Sequence, residues 1–292
     1  MAQTTTFEKL SRKRSLTNVV MCGAICAAVL VALVPLVAVL SYTVLQGADR
    51  ISWEFLTHSM NGVGPLDANG GAYHAIIGTL QHVAIAYAIA VPLGLMVAIY
   101  IAEVGRGSLA AATRFIVDVM TGIPSIVAGL FIFSFWVIAL DQGFSGLAAG
   151  LALAILMLPT VVRSAEEMLK LVPNELREAS AALGISKWRS TLSVVVPAAS
   201  SGIVTGVLLA VARVTGETAP LLLTAFGFDA IRNSPVDGPQ SGLPLYVFSQ
   251  AGSAFDVAVE RAWAGALTLM VIVMLLIVVA RVVAARRPAV SS

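Results

Sequence analysis

Two residues of opposite charge, Arg213 and Glu217, interrupt the otherwise apolar stretch ARVTGETAPLLLTA at 212–225. A guanidinium offers paired N–H donors that suit an oxyanion. A carboxylate repels an anion unless that anion donates a hydroxyl hydrogen to it. Phosphate near neutral pH keeps such a hydrogen and sulfate does not, so the two residue types together lean towards phosphate. Burying a charge at the middle of a bilayer costs from about 2.5 to more than 10 kcal/mol. Four residues apart on a helix, the two share a face and partly compensate one another. Two readings stay open: a structural pair that locks helices together, or a station on a path through the membrane. Gly216 and Pro220, expected on the same face, favour the path because the backbone can open there, and Thr215 is grouped with the pair.

A second polar constellation lies at 163–197, which holds 9 of the 34 charged residues in 35 positions. Its centre reads REASAALGISKWRSTLSVVVPAA. Asn174 is expected to accept hydrogen bonds from first-turn amides, with Glu175 and Glu178 suited to the positive helix end. Gly184 should stop this helix as a left-handed cap, and Ser186 should cap a short second one before Pro197. Ala179, Ala182 and Leu183 form an apolar stripe beside charged neighbours, a surface that suits a groove on another protein.

The elements that position both constellations follow from composition. Charged residues are only 12% of the chain and hydrophobic ones 58%, against about 25% charged in soluble domains. Six runs, at 15–48, 68–102, 119–140, 142–162, 190–212 and 262–280, carry no Asp, Glu, Lys or Arg. Each approaches the roughly 20 residues that cross a bilayer. The reading is an all-α membrane protein with six transmembrane helices. A basic tail at 1–17 precedes the first span at 18–45. A core at 73–283 holds five more spans, the polar loop at 163–197 and an outer segment at 224–260. A tail follows at 284–292. Thr121-Gly122-Ile123-Pro124-Ser125 should bend the third span, and Gly-Leu-Pro-Leu-Tyr-Val-Phe near 242–248 should turn back towards the membrane.

With both termini inside, 14 Lys and Arg residues fall on the cytoplasmic side and 3 outside, with Arg213 in the fifth span. The net charge of +2 records this bias, and no nucleic-acid partner is implied. The first apolar run is too long for a cleaved signal peptide. Cys22 and Cys26 lack nearby His or carboxylate partners and read as small packing residues, so no metal site is expected. His74 and His82 suggest interfacial hydrogen bonding, and His58 lies in an outer loop. The pairs Gly146/Gly150 and Gly202/Gly206 suggest close helix interfaces. No Gly-Lys dipeptide occurs, so the chain has no Walker A loop to cradle ATP and no enzymatic role of that kind.

The polar loop resembles the EAA loop of ABC-importer permeases: Glu178-Ala179-Ser180, then Gly184, then Val194, Val196 and Pro197, in register throughout. Ser replaces the second Ala, and Val replaces Ile and Leu. The stretches at 78–103, 122–131 and 216–222 are similar to the PstA family, permeases of the bacterial phosphate importer. The resemblance implies a type I ABC-importer permease fold, with Asn174, Glu175, Glu178, Ala179, Ser180, Leu183 and Gly184 docking a separate ATPase. It implies a PstC-like second permease as heterodimer partner, a PstB-like ATPase dimer that binds ATP and Mg, and a PstS-like phosphate-binding protein. Arg213 and Glu217 then belong to the phosphate path, in the bacterial plasma membrane, and the chain itself needs no cofactor. Permeases for sulfate or molybdate, and an ion-coupled secondary carrier, are the alternatives.

Overall fold

The computed structural model describes residues 12–64 and 66–285. The tails expected at 1–17 and 284–292 lie mostly outside that range. The chain divides after Gln46 into two units. The first consists, among the described residues, of most of α1, Arg12–Ala48, a 37-residue helix with uncharged side chains from Ser15 onward. At about 1.5 Å per residue it exceeds a bilayer core in length. It begins earlier than the expected 18, because Arg12, Lys13 and Arg14 are good helix formers.

In the second unit α2, Trp53–Thr57, is a short turn capped by the Ser52 hydroxyl. The helix α3, Tyr73–Ile99, carries Pro92 and runs into a wider turn at Tyr100–Val104, closed by the Gly105 amide donating to Tyr100 O at 2.6 Å. Next come α4, Ser108–Thr121, and α5, Ser125–Ile132, the latter prolonged by a second wide turn to Ala139. Their axes differ by 103°, so the expected bend at Gly122 and Pro124 is a sharp break. The helix α6, Gly146–Lys170, is the most buried span and lies between α3, α9 and the α4–α5 pair.

The surface helices α7, Asn174–Ala182, and α8, Lys187–Ser190, follow α6. A third wide turn at Thr191–Val195 leads into α9, Val196–Thr215. The helix α9 stops at Thr215 and the chain resumes as α10, Ala219–Thr224, so the backbone opens between them, in the Gly216–Pro220 stretch where opening was expected. Then α11, Leu243–Ala251, packs on α3 and α12, Asp256–Ala285, in the region expected to turn back. Among the described residues five helices are long and apolar enough to span a membrane, or six if the bent α4–α5 pair counts as one span.

One core runs through α3, α6 and α9, built from small and β-branched residues such as Ala90, Ala98, Val161, Ala165, Ala210 and Val214. The glycine pairs serve these interfaces, as expected. Gly146 and Gly150 face His82, Gln240 and Ile85, while Gly202 and Gly206 face Met168 and Ser164 of α6.

Candidate functional site

The end of α9 is shaped by its own sequence. The Thr215 hydroxyl donates to Val211 O at 2.7 Å, and the amides of Gly216 and Glu217 donate to Arg213 O and Val214 O, each at 3.2 Å. The last turn thus tightens from i→i+4 to i→i+3 bonding and the helix stops. Thr218 then opens α10 by accepting from the Leu222 amide at 3.2 Å, and Pro220 supplies no amide to continue the ladder.

The α4–α5 break has the same local chemistry. The Thr121 hydroxyl donates to Val117 O at 3.0 Å, the Gly122 amide to Val119 O at 3.0 Å, and Pro124 follows. The helices that follow the two breaks pack together: a Cβ on Gly129 of α5 would lie 2.6 Å from Pro220 Cα in α10. A glycine is required there by close approach of backbone.

Arg213 and Glu217 flank the α9 break. Arg213 Nε lies 4.0 Å from Glu217 Oε1, with the two side chains 58% and 21% exposed. That separation is an ion pair without a hydrogen bond. Among the described residues no hydrogen bond engages the rest of the Arg213 guanidinium. The loose pair leaves guanidinium N–H donors without a hydrogen-bond acceptor, the kind of donors that suit an oxyanion. Glu217 lies outside the helix, so the shared helical face expected of the pair is replaced by proximity across the break. Thr215 is buried and its hydroxyl is spent on its own helix, so it does not join them. Pro220 is likewise turned inward while Gly216 is exposed.

The second constellation is a surface helix held from behind. Asn174, Glu175, Glu178, Ala179, Leu183 and Gly184 are exposed on or after α7. Ser180 is buried: its hydroxyl lies 2.8 Å from Arg177 O and 2.5 Å from Ser190 Oγ, which ties α7 to α8. Pro173, not Asn174, precedes the helix, and no side chain caps it; Asn174 Oδ1 instead accepts from Arg177 at 3.3 Å. Ser186 makes no capping bond either. Gly184 has φ +74°, and the amides of Gly184 and Ile185 return to Ala181 O and Ser180 O, the expected left-handed stop.

Arg177 is the fixed point of this helix. Its guanidinium donates to Glu103 Oε1 at 2.7 Å and to Leu169 O at 2.8 Å, and also to Val172 O. Glu103, only 6% exposed, belongs to the wide turn that ends α3. Nearby, Glu166 of α6 is 1% exposed and meets Arg114 at 2.9 Å, Lys170 at 2.7 Å and Arg163 at 3.2 Å; Arg163 also pairs with Asp118. The spacing of Arg163, Glu166 and Lys170 was visible as i, i+3 and i, i+4 pairs. Arg114 and Glu103 carry no local signal of their partners, which are 52 and 74 residues away.

At the opposite end of α3, buried His82 Nε2 lies 3.1 Å from Gln240 Oε1. The Gln240 amide nitrogen donates to Gln81 Oε1 at 2.6 Å and to Arg232 O at 3.0 Å, so its oxygen faces His82, whose Nε2 is the donor. The interfacial bond expected of His82 exists, whereas His74 packs its ring edge-on to Tyr246 with both nitrogens unbonded. His58 is exposed. No group of His, Cys and carboxylate side chains able to hold a metal occurs among the described residues.

The sequence model of the family described as "Binding-protein-dependent transport system inner membrane component" matches residues 90–287. Phosphate transport system permease protein PstA 1 of Mycobacterium tuberculosis is 44% identical over 287 residues, covering 96% of this chain and 94% of that one. PstA of Yersinia pestis is 43% identical, covering 86% and 84%. Among solved structures, an inward-facing MetNI methionine ABC transporter superposes with a TM-score of 0.53 at 20% identity, over 74% of this chain and 92% of that one. An amino acid ABC transporter gives 0.51 at 17% identity, over 72% and 89%. The two structures share the fold, that of type I ABC-importer permeases. The chain therefore belongs to the family of binding-protein-dependent transport system inner membrane components and is a relative of its PstA permeases.

Proposed function

We propose that this chain is the membrane-spanning subunit of an ATP-driven importer, and that inorganic phosphate passes the Arg213–Glu217 break on its way to the cytoplasm. The observation that carries the reading is a free guanidinium beside a carboxylate at a backbone break, in a chain 44% identical to a phosphate permease. Arg213 attracts the anion. Glu217 accepts the hydrogen of a protonated phosphate oxygen, which sulfate lacks, and competes for the guanidinium so that the anion is released again. A site that hydrogen-bonds a hydroxyl rejects an analogue without one, because its own acceptor is left unpaired.

The basic-residue bias supports cytoplasmic termini and a cytoplasmic α7 in a bacterial plasma membrane. The exposed residues Asn174, Glu175, Glu178, Ala179, Leu183 and Gly184 then dock a PstB-like ATPase dimer, which holds ATP and Mg. A PstS-like binding protein delivers phosphate to the outer segments at 47–71 and 224–260. A PstC-like permease completes the cavity. ATP binding closes the ATPase dimer, α7 moves with it, and the spans open outward; hydrolysis restores the inward state.

Purification of the tagged chain from its native membrane should bring along an ATPase and a second permease. In proteoliposomes the complex should take up phosphate with ATP and a binding protein, and excess sulfate should not compete. Uptake of sulfate in preference, or phosphate movement by the chain alone, would overturn the reading.

A further inference from the structure

The helix α7 is covalently continuous with α6 before it and with α8 and α9 after it, but not with α3. Among the described residues the Arg177 side chain makes that third connection. Arg177 gathers Glu103, at the end of α3, together with the carbonyls of Leu169 and Val172, at the end of α6. Arg114 holds the same turn from the other side by donating to Ile101 O at 2.8 Å. The turn itself has i→i+5 bonding, a geometry frequent at functional sites.

The far end of α3 is tied just as tightly, to a different part of the chain. Gln81 Nε2 donates to Asn233 O at 2.7 Å, Gln240 bridges Gln81 and His82, and the Leu243 amide donates to the Thr79 hydroxyl at 2.7 Å. These bonds fix the segment that follows α10, and hence the segment that follows Glu217. Glu103 and Gln81 are 22 residues apart, about 33 Å along a helix axis. Between them α3 lies against α6 in the main core, a continuous packed element joining the two ends.

We propose that α3 is a relay between the α7 surface and the outer segment 224–242, with Glu103–Arg177 as the linkage at one end and Gln81–Gln240 at the other. These are positioning residues: they touch neither phosphate nor ATP. The inference rests on the reading of α7 as the ATPase-docking helix. Through this relay, arrival of the binding protein at the outer segment is felt at the ATPase.

The test uses the complete complex in proteoliposomes, with Glu103→Gln, Glu103→Asp and Gln81→Ala. Glu103→Gln should keep the ATPase bound and basal hydrolysis unchanged. It should lower binding-protein stimulation of hydrolysis, and phosphate moved per ATP, about tenfold, a usual size for coupling between sites. Glu103→Asp, which keeps the charge, should recover part of both. Gln81→Ala, far from the ATPase, should reproduce the loss of stimulation. Full stimulation and full phosphate per ATP in either Glu103→Gln or Gln81→Ala would overturn the relay. Dissociation of the ATPase from the Glu103→Gln complex would also overturn it, by making Glu103 part of the docking surface. If the unaltered chain binds no ATPase, the docking reading fails instead.

Discussion

Two Arg–Glu pairs in this molecule use the same chemistry to opposite ends. Arg177 and Glu103 approach to 2.7 Å, the carboxylate is nearly inaccessible, and the guanidinium also satisfies two helix-end carbonyls. Arg213 and Glu217 stay 4.0 Å apart across a broken helix, with the guanidinium more than half exposed. A buried pair with its donors satisfied is a structural joint. An open pair without a hydrogen bond leaves its remaining donors available. The difference comes from the backbone: Arg177 points at the converging ends of two helices, while Arg213 sits where one helix stops.

The contrast can be broken most severely at its tight end. Arg177→Ala leaves Glu103 buried without a partner and should cost about 3–5 kcal/mol, read as a large fall in the thermal midpoint of the purified complex. Gly129→Ala, which sets a Cβ against Pro220, should cost about 1–3 kcal/mol through overpacking of the two helix breaks. At the loose end, Arg213→Ala removes no hydrogen bond of the fold among the described residues and should lower the thermal midpoint less than Arg177→Ala does; a fall as large as that of Arg177→Ala would make Arg213 a structural joint as well. Glu217→Gln should weaken discrimination between phosphate and sulfate in competition uptake, and unaltered selectivity would remove the hydroxyl-accepting role. The smallest effect belongs to Thr215→Val. Its hydroxyl serves only its own helix, so uptake should stay near that of the unaltered chain.

Much of this was legible in the residues themselves. Apolar run length pointed to five long apolar helices, while the run at 119–140 falls on the bent α4–α5 pair; Gly184 marked the end of α7, and Gly122 with Pro124 marked the break between α4 and α5. The break after Thr215 carried the same Thr-Gly signal and a following proline, and Gly216 with Pro220 marked where the backbone opens. Ser180 was grouped with the exposed face of α7 because the motif includes it, whereas the packing of α8 turns it inward. Asn174 lost its capping role because Pro173, with its fixed φ, already sets the chain's entry into α7. Long-range partners were invisible: nothing local to Glu103 announces Arg177, and nothing local to His82 announces Gln240.

The most direct test is ATP-driven phosphate uptake by Arg213→Ala, measured beside ATP hydrolysis in the same proteoliposomes. Uptake should be abolished while the complex stays assembled and still hydrolyses ATP. Phosphate uptake equal to that of the unaltered chain would contradict the account, because the guanidinium at the break would then have no part in the passage of the anion.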